Sequence, residues 1–139
     1  MDTTYHKARL QVVGYRNIQT RVNAVLSPHS LNTSQWIILG WLYENAGGLR
    51  VTELAEVLQV EPPLVTTLLQ PLQQSGLIQM RKDEQDGRAK IVTLSVQGQA
   101  AVPIIEAQLS DALQQLDNSV TEDMLLTYFA VLQQFVDNS

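Results

Sequence analysis

Apolar residues along the first part of the chain recur at helical spacing. Ile18, Val22, Val25 and Leu26 share one face with Arg16 and Arg21 between them, which predicts a long helix over residues 5–26. Ser27-Pro28-His29 supplies its stop. Asn32 or Thr33 then stands where an N-cap belongs, ahead of QWIILGWLYEN. That almost wholly apolar run predicts a deeply buried helix ended by Gly47 and Gly48. Thr52 is placed to cap a short helix in which Leu54, Ala55 and Leu58 face a core. Val60 and Glu61 make a turn, and Pro62 follows at a first helical position, where its missing N–H costs nothing. In the fourth helix Leu64, Val65, Leu68, Leu69 and Leu72 fall on one side and Thr66, Thr67, Gln70, Gln73 and Gln74 on the other, with Gly76 as its end.

After Gly76 the period changes. LIQMRK and AKIVTLS alternate as strands do, and the DEQDGR between them has the Asp-Gly composition of a hairpin tip. Ser95 can cap the next helix, through QGQAAVPIIEAQLSDALQQL, with Pro103 as a kink or an early boundary. A last helix is expected to begin near a capping box at Ser119 to Glu122 and to present Leu125, Leu126, Phe129, Leu132 and Phe135. The order is thus four helices, a two-stranded hairpin and two helices. A short helix, a tight turn and a second helix with a polar outer face make a helix-turn-helix, and a hairpin with a charged tip after it makes the wing of a winged helix. The fold class is therefore mainly α with a small β-hairpin wing.

Charge changes this picture in one respect. The 139-residue chain carries a formal charge of -5, which argues mildly against a nucleic-acid partner until its distribution is considered. Residues 1–49 hold four basic and two acidic side chains, residues 50–98 five and six, and residues 99–139 none and six. Attraction for phosphate is confined to the first two-thirds, chiefly to Arg81, Lys82, Arg88 and Lys90. The helix from Pro62 has three prolines in the stretch EPPLVTTLLQPLQQSG and no cation. There is no cysteine, which removes disulfides, thiolate metal sites and a Cys nucleophile together. The opening MDTTYHKARLQVVGYR lacks the apolar run of a signal peptide, and no stretch approaches the ~20 apolar residues of a membrane span, so the chain reads as a cytoplasmic protein.

SQWIILGWL, and then VTELAEVLQVEPPLVTTLLQPLQQSGLIQMRKDEQDGRAKIVTLSVQG, resemble the multiple-antibiotic-resistance regulator (MarR) family of bacterial winged-helix transcription factors. Most specific is Asp86-Gly87-Arg88-Ala89-Lys90-Ile91-Val92-Thr93-Leu94-Ser95 with Gly98 downstream. It matches the family's wing pattern of Asp-x-Arg, an apolar strand ending in Leu-Thr or Leu-Ser, and a later Gly. The resemblance implies a homodimer held by the terminal helices, double-stranded DNA with a pseudo-palindromic site as the partner, and often a small aromatic or phenolic effector. It divides the chain into an N-terminal dimerisation helix and connection (1–32), a winged helix-turn-helix domain (33–98) and C-terminal dimerisation helices (99–139). Many relatives carry a Thr-Arg pair and a second basic residue about four positions on in the fourth helix. Here those places read Thr66-Thr67 and Pro71, and a bend is expected at Pro71.

The DNA contacts this reading expects are Pro63, Thr66, Thr67 and Gln70 from the helix and Arg81, Lys82, Asp86, Arg88 and Lys90 from the hairpin. Gln pairs with adenine and a Thr methyl packs on thymine, whereas neither neutralises phosphate. The bland alternatives are a solvated helix face and an Arg88–Asp86 surface pair worth ~0–1 kcal/mol. By resemblance, Arg88 approaches the minor groove with Asp86 orienting it. Tyr15, Arg16 and Trp36 are the effector candidates, Arg16 meeting a carboxylate, against a plain core role for the tryptophans. Dimerisation falls to Ile18, Val22, Leu125, Phe129 and Leu132, because the first and last helices are apolar on more than one side. His6 and His29 lack ligand-like spacing, no cofactor motif is present, and the acidic cluster at the hairpin tip is expected to be a solvated turn and not a catalytic site. The main rival is a winged-helix protein-interaction module that has lost or weakened DNA binding, motivated by the uncharged fourth helix and the acidic C-terminal segment.

Overall fold

A computed structural model describes residues 3–114 and 119–139. Its elements are α1 (Thr4–Leu26), a 3-10 turn (Ser27–His29), α2 (Thr33–Glu44), β1 (Leu49–Arg50), α3 (Val51–Leu58), α4 (Pro62–Gln74), β2 (Ile78–Lys82), β3 (Lys90–Leu94), α5 (Val96–Gln114) and α6 (Glu122–Asp137). The strands form one antiparallel sheet in the order β1-β3-β2. β1 is the element that the sequence pattern does not reveal. Two residues are too few to show an alternation, and only pairing with β3, Leu49 opposite Val92 and Arg50 opposite Ile91, makes them a strand.

One core joins the sheet to the helices. Leu26, Ile38, Leu39, Leu42, Leu54, Val65, Leu69, Leu72, Ile78, Val92 and Ile105 are almost completely buried, each stabilising by roughly 1.5–3 kcal/mol. Four of the five apolar positions expected to turn α4 inward do so, three buried and Leu68 partly so; Leu64 is about half exposed. α1 packs on α5, and α2 on α4, α5 and β3.

The helix ends follow local chemistry. Asn32 caps α2 by accepting the Gln35 N–H at 2.9 Å, and the Gln35 side chain accepts the Asn32 N–H at 3.0 Å, a reciprocal capping box. α3 starts at Val51 with Arg50 as its N-cap, two residues before the expected cap Thr52, and Glu53 at the third helical position accepts the Arg50 N–H at 2.9 Å. α4 ends in a Schellman turn: Gly76, at φ 81°, and Leu77 donate to the carbonyls of Gln73 and Leu72. Pro71 does not stop α4, which continues to Gln74. Pro103 likewise lies within an unbroken α5. The Gln99 carbonyl that loses its donor there belongs to an exposed residue, where water can replace it. α6 is capped by Thr121, whose hydroxyl accepts the Met124 N–H at 3.2 Å, so the expected box from Ser119 gives way to a cap two residues later.

The feet of the hairpin are clamped at Gly98. A Cβ on this residue would stand 2.2 Å from the Leu77 carbonyl oxygen, so the first turn of α5 lies directly on the start of β2. Ser95 completes the clamp: its N–H donates to Leu77 O at 3.0 Å, its hydroxyl donates to Gly76 O, and the same oxygen accepts the Gly98 N–H at 3.0 Å. Ser95 is thus the expected cap of α5 and also a tie between α5 and the end of α4.

Candidate nucleic-acid interface

α3, the turn at Gln59–Glu61 and α4 form the helix-turn-helix. Gln59 takes the left-handed conformation (φ 54°) that the turn requires, and Val60 donates back to Ala55 O at 3.0 Å. With Val65, Leu69 and Leu72 buried, the opposite side of α4 projects Pro63, Thr66, Thr67, Gln70, Pro71 and Gln74, all exposed. None is charged, and among the described residues none has a hydrogen-bond partner outside its own helix. The hydroxyls of Thr66 and Thr67 donate to the carbonyls of Pro62 and Pro63, one turn back, at 3.4 and 3.1 Å.

α4 is held from behind by a residue that the sequence reading passed over. Gln35, buried, donates its side-chain amide to the Leu68 carbonyl at 3.1 Å, tying α2 to α4 next to the residue whose carbonyl Pro71 deprives of a donor. The Asn32-x-x-Gln35 spacing is a capping-box pattern visible in the sequence, but nothing local to it announces the second bond.

The wing supplies the charge. β2 and β3 pair from Ile78 opposite Leu94 to Lys82 opposite Lys90. Directly opposed residues share a sheet face, so both lysines extend the face that carries Ile78, Met80, Val92 and Leu94, beyond the core and exposed. Like charges so placed repel by about 1 kcal/mol even in water, and an anion between them would relieve that repulsion. The ion pairs among the described residues involve neither lysine. The tip is not a two-residue turn but a loop over residues 83–89, closed by Asp83 N–H to Ala89 O at 3.0 Å and Ala89 N–H to Asp86 O at 2.9 Å. Asp86 also accepts the Arg88 N–H at 3.1 Å and lies 3.4 Å from Arg88 Nε. The Arg88 side chain is 94% exposed, and among the described residues its terminal nitrogens make no ion pair.

Asp83 departs from the expected solvated turn. It is buried, accepts the Gln85 N–H at 3.0 Å, and is paired with Arg50 at the start of α3. The Gln85 N–H first, and then the Arg50 guanidinium, hold its carboxyl below the usual carboxylate range, against burial, which pushes the other way. This pair joins the base of the wing to the helix-turn-helix. Its partners are 33 residues apart, so no local pattern in the sequence marks it.

The three effector candidates do not come together. Tyr15 and Arg16 border a shallow hollow on α1 with Gln11, Val12 and Gln19. Trp36 instead lines a groove of about 660 Å³ between α2 and α5 with Tyr43, Glu44, Pro103 and Glu106. A molecule in that groove meets two carboxylates and no cation, so Arg16 has no carboxylate to receive there. His29 is spent on a 2.8 Å hydrogen bond to Gln108, and among the described residues no group of three or more His, Asp or Glu side chains is placed to hold a metal. No helix among them is long and apolar enough to cross a membrane.

The dimerisation candidates divide as well. Val22 is partly buried against the core, whereas Ile18, Leu125, Phe129 and Leu132 are exposed. α6 buries no residue at all. Between α1 and α6 lies an apolar hollow of about 720 Å³ lined by Leu10, Ile18, Tyr128, Val131, Leu132 and Phe135.

Known proteins share this arrangement. The chain is 35% identical over 80 residues to the uncharacterised HTH-type transcriptional regulator YwoH of Bacillus subtilis, covering 58% of this chain and 57% of that protein. It is 32% identical over 90 residues to the transcriptional activatory protein BadR of Rhodopseudomonas palustris, covering 60% and 51%. The chain thus spans about half the length of these curated relatives. Among solved structures, a MarR variant from Escherichia coli complexed with operator DNA superposes with a TM-score of 0.80 at 25% identity, over 92% of this chain and 91% of that one. The sequence model of the MarR family matches residues 29–89, from the turn after α1 through α4 to the end of the wing loop, so over its winged helix-turn-helix the chain is similar to the MarR family.

Proposed function

We propose that this protein is a homodimeric transcription regulator that binds double-stranded DNA, with α4 in the major groove and the wing on the neighbouring backbone. The observation that carries this reading is the wing: among the described residues Lys82 and Lys90 stand side by side without a carboxylate partner, and Arg88 projects into solvent beside a neutral α4 face. Arg81, Lys82 and Lys90 serve phosphate, Arg88 enters the groove edge with Asp86 steering it, and Pro63, Thr66, Thr67 and Gln70 meet the bases. The apolar surface of α1 and α6 is covered by a second copy, which sets two α4 helices for a pseudo-palindromic site. A small aromatic effector, where one acts, sits in the groove between α2 and α5, against Trp36 and Tyr43. No step of this function calls for catalysis or a cofactor.

Salt titration of a mixed-sequence duplex tests the reading without knowledge of the operator. Each phosphate neutralised contributes about -0.9 to the slope of log K against log salt. Lys82 and Lys90 in both protomers therefore account for about -3.6, and the Lys82→Ala/Lys90→Ala variant is expected to flatten the slope by that amount. A duplex not retained at low salt, or a slope that the double variant leaves unchanged, refutes wing-borne DNA binding and favours a module that binds another protein.

A further inference from the structure

α4 carries less hydrogen-bonding capacity than its composition suggests. Thr66 and Thr67 have turned their hydroxyl hydrogens onto the Pro62 and Pro63 carbonyls of the preceding turn. What each threonine then offers a ligand is its γ-methyl group and an acceptor oxygen, but no donor. Pro63 and Pro71 border these methyls on the exposed side of the helix, and neither has an N–H. Gln70 stands between them, exposed, with no intramolecular hydrogen bond among the described residues to compete for its amide. The face therefore presents methyls and acceptor oxygens at the threonines, apolar rings at the prolines and amides at Gln70 and Gln74, and it has no cation.

Each base pair presents a different edge in the major groove. Guanine offers two acceptors, matched best by Arg or Lys, and α4 has neither. Adenine offers an acceptor and a donor side by side, which a Gln amide satisfies bidentately, and thymine offers a C5-methyl group, whose natural partner is another apolar group. We infer that α4 selects A·T base pairs, with the Thr66 and Thr67 methyls packed on thymine C5-methyls and the Gln70 amide on adenine. This rests on the DNA-binding reading above and adds to it the class of sequence recognised and the group read. Removing one buried methyl from such a contact should weaken binding about fourfold, the effect of returning one apolar carbon to water.

The test begins with selection from a random-sequence duplex pool by the full chain, followed by resynthesis of the enriched duplex with deoxyuridine in place of thymine. The inference expects A·T pairs in each half-site and about fourfold weaker binding per contacted methyl removed. It also expects a Thr66→Ser/Thr67→Ser variant, which keeps both hydroxyls and their backbone bonds, to bind the thymine and uracil duplexes alike. Enrichment of G·C pairs, equal affinity of the native chain for both duplexes, or a serine variant that still discriminates against uracil would each overturn it while leaving DNA binding intact. Failure to enrich any duplex would instead overturn the DNA-binding reading, and this inference with it.

Discussion

Gly98→Ala is expected to be the most damaging single-methyl addition among the glycines of this chain's helices. The new Cβ would lie 2.2 Å from the Leu77 carbonyl oxygen and 3.0 Å from Leu94 Cδ2. An ordinary carbon–oxygen contact needs about 1 Å more than the first of these, and the obstacle is backbone, which cannot rotate away. The first turn of α5 must therefore lift from the start of β2. Overpacking of this kind costs ~1–3 kcal/mol. The lift also strains the Ser95 N–H bond to Leu77 O and the Gly98 N–H bond to Ser95 Oγ, each worth ~1 kcal/mol. Against these stands a gain of ~1 kcal/mol from replacing glycine within a helix. The balance is a loss of roughly 2–4 kcal/mol, or a fall in Tm of about 10 °C for a chain of this length.

Gly40→Ala supplies the opposing arm. Gly40 lies inside α2, and a Cβ added there would meet no atom within 4 Å, so the same substitution should stabilise by up to ~1 kcal/mol. Thermal unfolding followed by far-UV circular dichroism, at one fixed protein concentration because a dimer's Tm depends on it, reads both. Should Gly98→Ala match or exceed the native Tm, α5 does not rest on Leu77, and the clamp at the feet of the wing is not as described. Two variants shifting the same way would show helix propensity outweighing position.

Three further outcomes follow from single contacts. Gln59→Gly should stabilise by ~1 kcal/mol, because a side chain at φ 54° is strained where glycine is not; a lower midpoint in urea unfolding would show that the side chain, which meets Ser139 in a 3.3 Å hydrogen bond, matters more than its backbone. Asp83 has a lowered pKa in the folded chain, so its stabilising contribution is present above the ordinary carboxylate pKa of about 3.9 and is lost as pH falls through the lower folded value. Asp83→Asn should accordingly give a flatter stability curve through that acid range and converge with the native protein at its lower end; parallel curves would dissociate Asp83 from the acid response. Phe129→Asp, on the exposed face of α6, should convert the proposed homodimer to monomer in sedimentation equilibrium, and a mass unchanged from a dimeric native protein would place the dimer contact elsewhere.

Much of the fold was legible because its signals are local and periodic. The inward side of α4, the Gly76 turn and the two wing strands each follow from spacing that a few neighbouring residues define. Sequence reasoning missed what depends on distant partners. β1 exists only through β3, Gln35 matters through the carbonyl of Leu68, and Asp83 is buried by Arg50 from before α3. For the same reason the effector candidates scattered: Tyr15, Arg16 and Trp36 were chosen by residue type, and helix packing sets Trp36 in a groove of its own. Gly98 lies between these cases. Its place in the wing pattern was visible, but its physical reason, a carbonyl 21 residues earlier in the chain pressed against it, needed the packing of α5 on β2.

In the proposed dimer, the uncharged α4 gives dimerisation a second role. Phosphate contacts supply essentially all non-specific affinity for DNA, while base contacts add affinity at chosen sites only. Placing cations on the wing alone lowers both kinds of binding by the same electrostatic factor and leaves discrimination to the neutral face of α4. On the proposed function, a single protomer of this design is expected to bind DNA weakly wherever it lands. Two protomers held together make the second half-site encounter intramolecular, at an effective concentration in the millimolar range where the spacing fits, and multiply the discrimination of each α4 without adding non-specific charge to the helix. In the proposed dimer the apolar faces of α1 and α6 become part of the recognition apparatus: a variant such as Phe129→Asp, with every proposed DNA contact intact, should lose its site through lost linkage while each monomer keeps the modest salt-dependent attraction of its wing.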